Sequence, residues 1–555
     1  MKALAVKVLR ASGQLDRAIS TRHRWRSRQR LHKHKRLNRE FDRKLESKAH
    51  NEPDTVRATI FSSSGPERVV LARVRRSDRV IDAMRSNRNL VEQALMEAEI
   101  PFRRISLDTG NRYRVAVADD QRMAVQAALS KLRNTTYVYL DSRKIPRPRR
   151  LIHVTLLDDR PTWALAESCS VWRVFEHLAT SSGTDVLGDL HGCEIEFWRI
   201  EDGDLVAARW NEEFVRLPAD IFSYSERTPL PLPSRVHFPI DVVYTWVAGD
   251  DPAWQQRRQQ HMNDVHAGEY HAEAASRARF ESRDELKYSL RSVHRYADFV
   301  RHIYIVTDQQ RPDWLQETEN LSVVDHHEIF ENRAALPTFN SHSIESQLHR
   351  IDGLAEHYLY MNDDFFFGRR VEPELFFTGA GLARQYQSHA HVPVVSPSSE
   401  VKPVDAAALN VQRLIQREFN VTPTLKFKHA PYPQLRSVNR EIERLFPEEW
   451  RQTQANRFRH PSDIAVASSL HHYVALLTGK GVPGEITARY VDLGRRNVAA
   501  RLSDLLNQRN FDSLCLNDTD RDEIDENEKN HLVRKFLESY FPSPSPFEVQ
   551  PRLEH

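Results

Sequence analysis

LPTFNSHSIESQLHRIDGLAEHYLYMNDDFFFGRRV, from Leu336 to Val371, joins a helical repeat, an apolar run and two adjacent aspartates. Ile344, Leu348, Ile351 and Ala355 recur at helical spacing, which predicts one helix with a buried stripe and with Glu345, His349 and Asp352 on the adjacent face. The apolar run His357–Met361 then reads as a strand, and it delivers Asn362, Asp363 and Asp364 into three phenylalanines. Neighbouring carboxylates at the end of a hydrophobic strand cost free energy unless a cation or hydrogen-bond donors compensate them. Hard oxygen ligands of this type suit Mg²⁺ or Mn²⁺ bound together with phosphate groups. A polar Asn-Asp-Asp turn also ends many ordinary strands, so the motif alone separates neither reading.

Working towards the N-terminus, PIDVVYTWVAGDDPAW (Pro239–Trp254) repeats the pattern: a β-branched and aromatic strand over 241–247 ends in a turn carrying Asp250 and Asp251. In open α/β sheets ligands sit beyond the carboxyl ends of such strands, which makes this turn a candidate nucleotide contact. In RFESRDELKYSLRSVHRYADFVRHIYIVTD (Arg279–Asp308), Ser282 and Glu285 have capping-box spacing. Leu286, Leu290, Val293 and Ala297 form one apolar stripe, and a strand follows over 302–307. Arg283, Asp284 and Lys287 fall in the first helical turns, where free backbone N–H groups receive phosphate. The expectation for 239–555 is therefore an α/β core, a mostly parallel nucleotide-sugar-binding sheet with helices on both faces.

Towards the C-terminus, LKFKHAPYPQLRS (Leu425–Ser437) presents His429 just after a strand-like run. ANRFRHPSDIAVASSLHHYVALL (Ala455–Leu477) puts Arg459 just before a helix expected to start at Pro461 or Ser462, a good setting for binding an oxyanion. The pairs His326–His327 and His471–His472 lack metal-ligand spacing. CLNDTDRDEIDENEK (Cys515–Lys529) carries Asn517 and Asp518 and resembles part of a calcium loop, but it lacks the glycine of the sharp turn.

Composition bounds the rest. A chain of 555 residues has room for about three or four domains. No apolar run approaches the ~18 residues of a membrane span, and there is no signal-peptide core. Three scattered cysteines exclude a disulfide scaffold and suit a cytoplasmic setting. Phosphate-binding P-loop and dinucleotide fingerprints are absent. The formal charge is +3, yet residues 1–50 hold 16 Lys/Arg against 4 Asp/Glu. Such an arm suits anionic lipid headgroups, with peripheral contact at the inner face of a membrane, or an acidic polymer, and it reads equally as a basic helix with no specific partner. Nucleic acid is not expected, since one tryptophan offers no stacking platform. Residues 51–224 alternate strand-like and helical runs (an α/β or α+β region), and 225–238, rich in proline, reads as a linker.

Four blocks in order resemble the Stealth family of sugar-1-phosphate transferases, which includes bacterial capsule polymerases and the catalytic subunit of the animal N-acetylglucosamine-1-phosphotransferase. They are IDVVYTWVAGDDP; the stretch from RFESRDELKYSLRSV through NDDFFFG; HAPYPQL with RFRHPSDI; and CLNDTD followed by FPSPSPFE. The resemblance covers Pro239 to the C-terminus. It implies transfer of a hexose-1-phosphate (N-acetylglucosamine-1-phosphate, for example) from a nucleotide-sugar donor to a sugar hydroxyl of an oligo- or polysaccharide acceptor, in capsule or exopolysaccharide synthesis. It also implies acidic metal and substrate contacts at Glu345, Asp363 and Asp364, a functional histidine and arginine at His429 and Arg459, and an Asn-Asp pair at Asn517–Asp518. On chemical grounds Glu345, Asp363 and Asp364 are assigned to Mg²⁺ or Mn²⁺, Arg459 to phosphate, and His429 to the acceptor proton. Asp250, Asp251, Arg283, Asp284, Asn362, Asn517 and Asp518 are assigned to substrate. The competing readings are a metal-dependent glycosyltransferase that releases a nucleoside diphosphate, and a non-catalytic adaptor of a polysaccharide assembly complex.

Overall fold

Three of the apolar runs become neighbours in one sheet. A computed structural model describes residues 54–549 apart from 63–64, 106–111, 134, 141–150, 182, 184, 225–230, 264–282, 394–400 and 519–522. The basic arm and Ser282 of the expected capping box lie outside these described residues. The chain divides into two compact units, Met1–Leu230 and Pro231–His555, with the break inside the proline-rich stretch.

The first unit is built on an eight-stranded, largely antiparallel sheet. Its middle strands, Thr136–Leu140, Val171–Glu176 and Cys193–Glu201, pair antiparallel, and Arg114–Ala118 joins Cys193–Glu201 in parallel. Helices Val80–Glu97 and Arg122–Leu129 place Val91, Leu95, Val125 and Leu129 against Trp172 and Phe197 in one core. Glu194 and Glu196 are fully buried within this sheet, and arginines neutralise them: Arg173 Nε donates to Glu194 at 3.0 Å and Arg114 to Glu196 at 3.2 Å.

In the second unit, β1 (Ile240–Thr245), β2 (Val300–Thr307), β3 (Leu321–Asp325) and β4 (His357–Asn362) run parallel in the order β3-β2-β1-β4. β5 (Phe365–Phe367) follows, and β6 (Tyr432–Leu435) closes the edge antiparallel to β4. β7 (Ala488–Asp492) and β8 (Ser513–Asn517) are parallel to each other, and β8 pairs antiparallel with β5. The expectation of one mostly parallel sheet thus holds for four strands and stops there: β6 is antiparallel, and the unit carries three smaller sheets besides. At the opposite end from the strand carboxyl termini, Asp241 is fully buried on β1. It accepts two bonds from Arg301 (2.8 and 2.5 Å) and one from the Ala355 N–H (2.7 Å), so the buried charge is compensated while it ties β1, β2 and the approach to β4.

The long helix expected over 344–355 does not form. Helix α1 spans only Ser341–Glu345, a single 3₁₀ turn covers Leu348–Arg350, and Gly353 reverses the chain at φ +73°. The physical cause is competition for helical backbone groups. Arg436 donates to the carbonyls of His349 (2.7 Å), Leu354 (3.2 Å) and Ile351 (3.4 Å), and Asp241 takes the amide of Ala355. Ile344, Leu348, Ile351 and Ala355 are nonetheless all buried.

Candidate active site

β4 ends in Asn362, Asp363 and Asp364 before the chain turns into β5, whose three phenylalanines are fully buried. Pairing of β5 with β8 brings Cys515 and Asn517 to Asp364. Asp364 Oδ2 accepts from Asn517 Nδ2 at 3.3 Å and from Cys515 Sγ at 3.6 Å, while Oδ1 has no hydrogen-bond partner. Both aspartates stay partly accessible although protein surrounds them closely. That surrounding protein desolvates Asp364 and pushes its carboxyl up to about 7, against the opposing bonds from Asn517 and Cys515. Burial, then the neighbouring Asp364 and Glu285, drive Asp363 well above the ordinary carboxylate range. Glu285 is itself buried at the start of helix α2 (Glu285–Tyr296) and likewise raised by desolvation.

A polar chain leads outward from this pair. Tyr490 on β7 donates its hydroxyl to Asn517 Oδ1 at 2.9 Å, which fixes the side-chain amide so that its N–H faces Asp364. The Tyr490 ring lies 5.4 Å from the His429 ring, centroid to centroid. His429 is open to solvent on one side, yet desolvation by the protein around it, aided by Lys426, lowers its pKa and favours the neutral imidazole.

Glu345 and Arg459 form a second group. Glu345 is buried, its Oε1 accepts from Tyr360 at 3.4 Å, and its Oε2 has no partner. Desolvation raises its pKa, and His342 and Arg459 act in the opposite direction. Arg459 donates to Ser341 at 2.7 Å, at the first position of α1. Tyr432 on β6 stacks on Tyr360 at 6.2 Å and packs on Phe365 at 5.7 Å. Burial raises its pKa, and the charges of Glu345 and Asp364 act in the same direction.

The remaining expected contacts sit elsewhere or are already engaged. Asp251 Oδ1 accepts from the N–H groups of Ala253 (2.8 Å) and Trp254 (3.4 Å), and its Oδ2 accepts from Gln310 (2.9 Å), so it caps the helix Pro252–Asn263. Asp250 beside it is exposed. Arg283 is buried and donates to Asp518 (2.6 Å) and Glu526 (2.7 Å), with Asn530 a further partner; Asp518 also takes Lys529 at 2.9 Å. Arg283 and Asp518 therefore hold each other and the C-terminal helix α3 (Glu526–Tyr540), rather than facing a ligand freely. Asp284 is exposed at φ +64° ahead of α2 and supplies no side-chain cap, and the Glu285 carboxylate accepts from the Arg283 N–H. Asn362 is half-buried at the end of β4.

The three-carboxylate metal set expected from the sequence is not preformed: among the described residues no three of His, Cys, Asp and Glu come together as a cation site. Glu345 instead feels the positive fields of His342 and Arg459. The adjacent Asp363 and Asp364 do fit a cation shared with phosphate oxygens, because both are strained towards protonation and Asp364 Oδ1 lacks a donor.

Comparison with known proteins decides the family. The models of Stealth protein conserved regions 1 to 4 match residues 238–265, 279–385, 428–476 and 503–554, in order. An exopolysaccharide phosphotransferase of Streptomyces coelicolor is 42% identical over 495 residues, covering 84% of this chain and 83% of the relative. The chain belongs to the Stealth family. A second Streptomyces coelicolor exopolysaccharide phosphotransferase is 39% identical over 513 residues, covering 84% of each. CpsY of Mycobacterium leprae, also named an exopolysaccharide phosphotransferase, is 38% identical over 376 residues, 65% of this chain and 69% of the relative. Like these relatives, this Stealth protein is a phosphotransferase. A match over 84% of the chain is longer than its second unit, so the Streptomyces relatives share part of the first unit as well. Glu345 with Asp363 and Asp364, His429 with Arg459, and Asn517 with Asp518 fall in the second, third and fourth Stealth regions. Tyr490 lies between the third and fourth, in no matched region, and a lone tyrosine in ARYVD gives no sequence signal of its role.

Proposed function

We propose that this Stealth phosphotransferase moves a hexose-1-phosphate from a nucleotide-sugar to a sugar hydroxyl of an exopolysaccharide acceptor and releases a nucleoside monophosphate. The acceptor oxygen bonds to the β-phosphorus as the bridging P–O bond breaks, and the nucleoside monophosphate departs with the electron pair. The observation that carries this reading is the Asp363–Asp364 pair at the carboxyl end of a parallel strand, pushed towards protonation and linked through Asn517 and Tyr490 to a neutral histidine. Phosphoryl transfer needs positioning and charge neutralisation more than covalent help. A divalent cation, Mg²⁺ or Mn²⁺, would be held by Asp363 and Asp364 and would supply that neutralisation at the diphosphate.

The chain's own residues do the rest. Asn517 orients Asp364, and Tyr490 locks the amide of Asn517. Neutral His429 takes the proton of the attacking hydroxyl. Arg459, braced on Ser341, offers a guanidinium to a phosphate oxygen of the donor. Incubating the protein and Mg²⁺ with a panel of nucleotide-sugars and an oligosaccharide acceptor tests the proposal. Release of UMP, GMP or another monophosphate with the sugar still phosphorylated is the expected result. Release of the diphosphate would make the enzyme a simple glycosyltransferase and overturn it.

A further inference from the structure

A cavity of about 610 Å³ lies among the short helix His326–Ile329, the 3₁₀ turn Leu348–Arg350 and the helix Arg436–Leu445, and none of the proposed catalytic residues lines it. Its charges are arranged unequally. Arg350 is spent on carboxylates, donating to Glu443 at 2.5 Å and lying 3.3 Å from Glu331. Arg436 is held by three backbone carbonyls, which orient its guanidinium without neutralising it. Arg333 and Arg440 are exposed and make no ion pair among the described residues. Three guanidinium groups thus reach the cavity without a carboxylate partner. His349 on the same wall is buried, and its Nδ1 has no hydrogen-bond partner. Carboxylate-paired arginines are structural, but a fixed guanidinium with two free ones beside it is the arrangement that grips a phosphoryl oxyanion.

We propose that this cavity binds a phosphoryl anion apart from the candidate active site. Two sources carry that chemistry: a phosphodiester already built into the acceptor polymer, and the nucleoside monophosphate set free by the reaction. Naming these sources rests on the function proposed above; the anion site itself does not. A polymer extended through sugar-1-phosphate units bears one negative charge per linkage, so a second grip on it would hold the chain between turnovers.

The test is equilibrium binding by calorimetry to the full chain carrying D364N, which blocks turnover. The probes are a disaccharide joined through a phosphodiester, the same disaccharide without phosphate, and UMP. R333A/R440A is compared with R413A/R534A, which removes two exposed helix arginines that do not line the cavity and so controls for net charge. The expected result is that R333A/R440A weakens at least one phosphorylated probe about tenfold or more, that R413A/R534A does not, and that the neutral disaccharide binds no better to either. The phosphorylated probe that responds identifies the source. Equal binding of both phosphorylated probes to the two double variants, or equal binding of the neutral and phosphodiester disaccharides, overturns the proposal. Release of a nucleoside diphosphate in the transfer assay overturns the function while leaving this comparison intact.

Discussion

The carboxyl of Asp364 is poised at about 7 because burial opposes its ionisation more strongly than Asn517 and Cys515 favour it. The native state therefore binds a proton that the unfolded chain has released from about pH 4 upward. Without added cation this group costs stability progressively as pH rises from about 4 to 7, and the cost levels off above that range. Asp364→Asn keeps the shape and removes the charge, so in EDTA its unfolding midpoint should match the parent near pH 4 and exceed it increasingly up to pH 7–8. Denaturant unfolding across that range checks the sign; a gap that narrows with rising pH would contradict it. The same variant should lose transfer activity by about 100-fold or more, the scale of removing a charge-stabilising group. Tyr490→Phe deletes only the hydroxyl that fixes Asn517. It should lower kcat about three- to tenfold with little change in the donor KM, and should add almost nothing in an Asn517→Ala background, since residues in one hydrogen-bond chain are not additive.

Among the secondary-structure elements, the sequence announces strands better than helices. β1, β2 and β4 are continuous apolar runs, and a run buried on both faces has few alternatives. The helix expected over 344–355 has equally good periodicity and fails because Arg436, 81 or more residues away, captures its carbonyls, which no local pattern reveals. The carboxylates at the end of β4 are legible for the same reason as the strand: charge where the pattern demands apolar residues. Joining Asn517 to Asp364 depends on β5 pairing with β8, a contact 153 residues apart in sequence; the family resemblance marks Asn517 without naming its partner. Arg283 shows the opposite failure. Its position at a helix start suggests phosphate binding, but Asp518, Glu526 and Glu285 surround it at 5% side-chain exposure. Removing one member of a buried ion cluster leaves uncompensated charge and costs about 3–5 kcal/mol. Arg283→Ala should therefore lower unfolding free energy by about that amount while the surviving enzyme keeps its donor KM within about twofold. A selective rise in KM at unchanged stability would return Arg283 to the substrate.

Across the whole molecule, the charge is divided in a way the catalytic unit does not use. Residues 1–50 carry +12 and the rest of the chain −9, and no helix among the described residues is long and apolar enough to cross a membrane. We propose that the arm supplies a reversible hold on an anionic lipid surface, where a membrane-borne acceptor would be met. Each lysine or arginine near such a surface contributes about 1 kcal/mol, although only part of the 16 can face it together. The attraction decays within a Debye length of about 8 Å at physiological ionic strength, so it must weaken as salt is added. The full chain should co-sediment with vesicles containing phosphatidylglycerol, should ignore neutral phosphatidylcholine vesicles, and should come free as NaCl rises towards 0.5 M. A chain lacking residues 1–50 should stay in the supernatant yet keep its activity on a soluble acceptor within about twofold, because every proposed catalytic residue lies beyond Pro239. Undiminished sedimentation of the shortened chain would move the lipid contact to another surface, and a large loss of activity on the soluble acceptor would give the arm a part in the reaction itself.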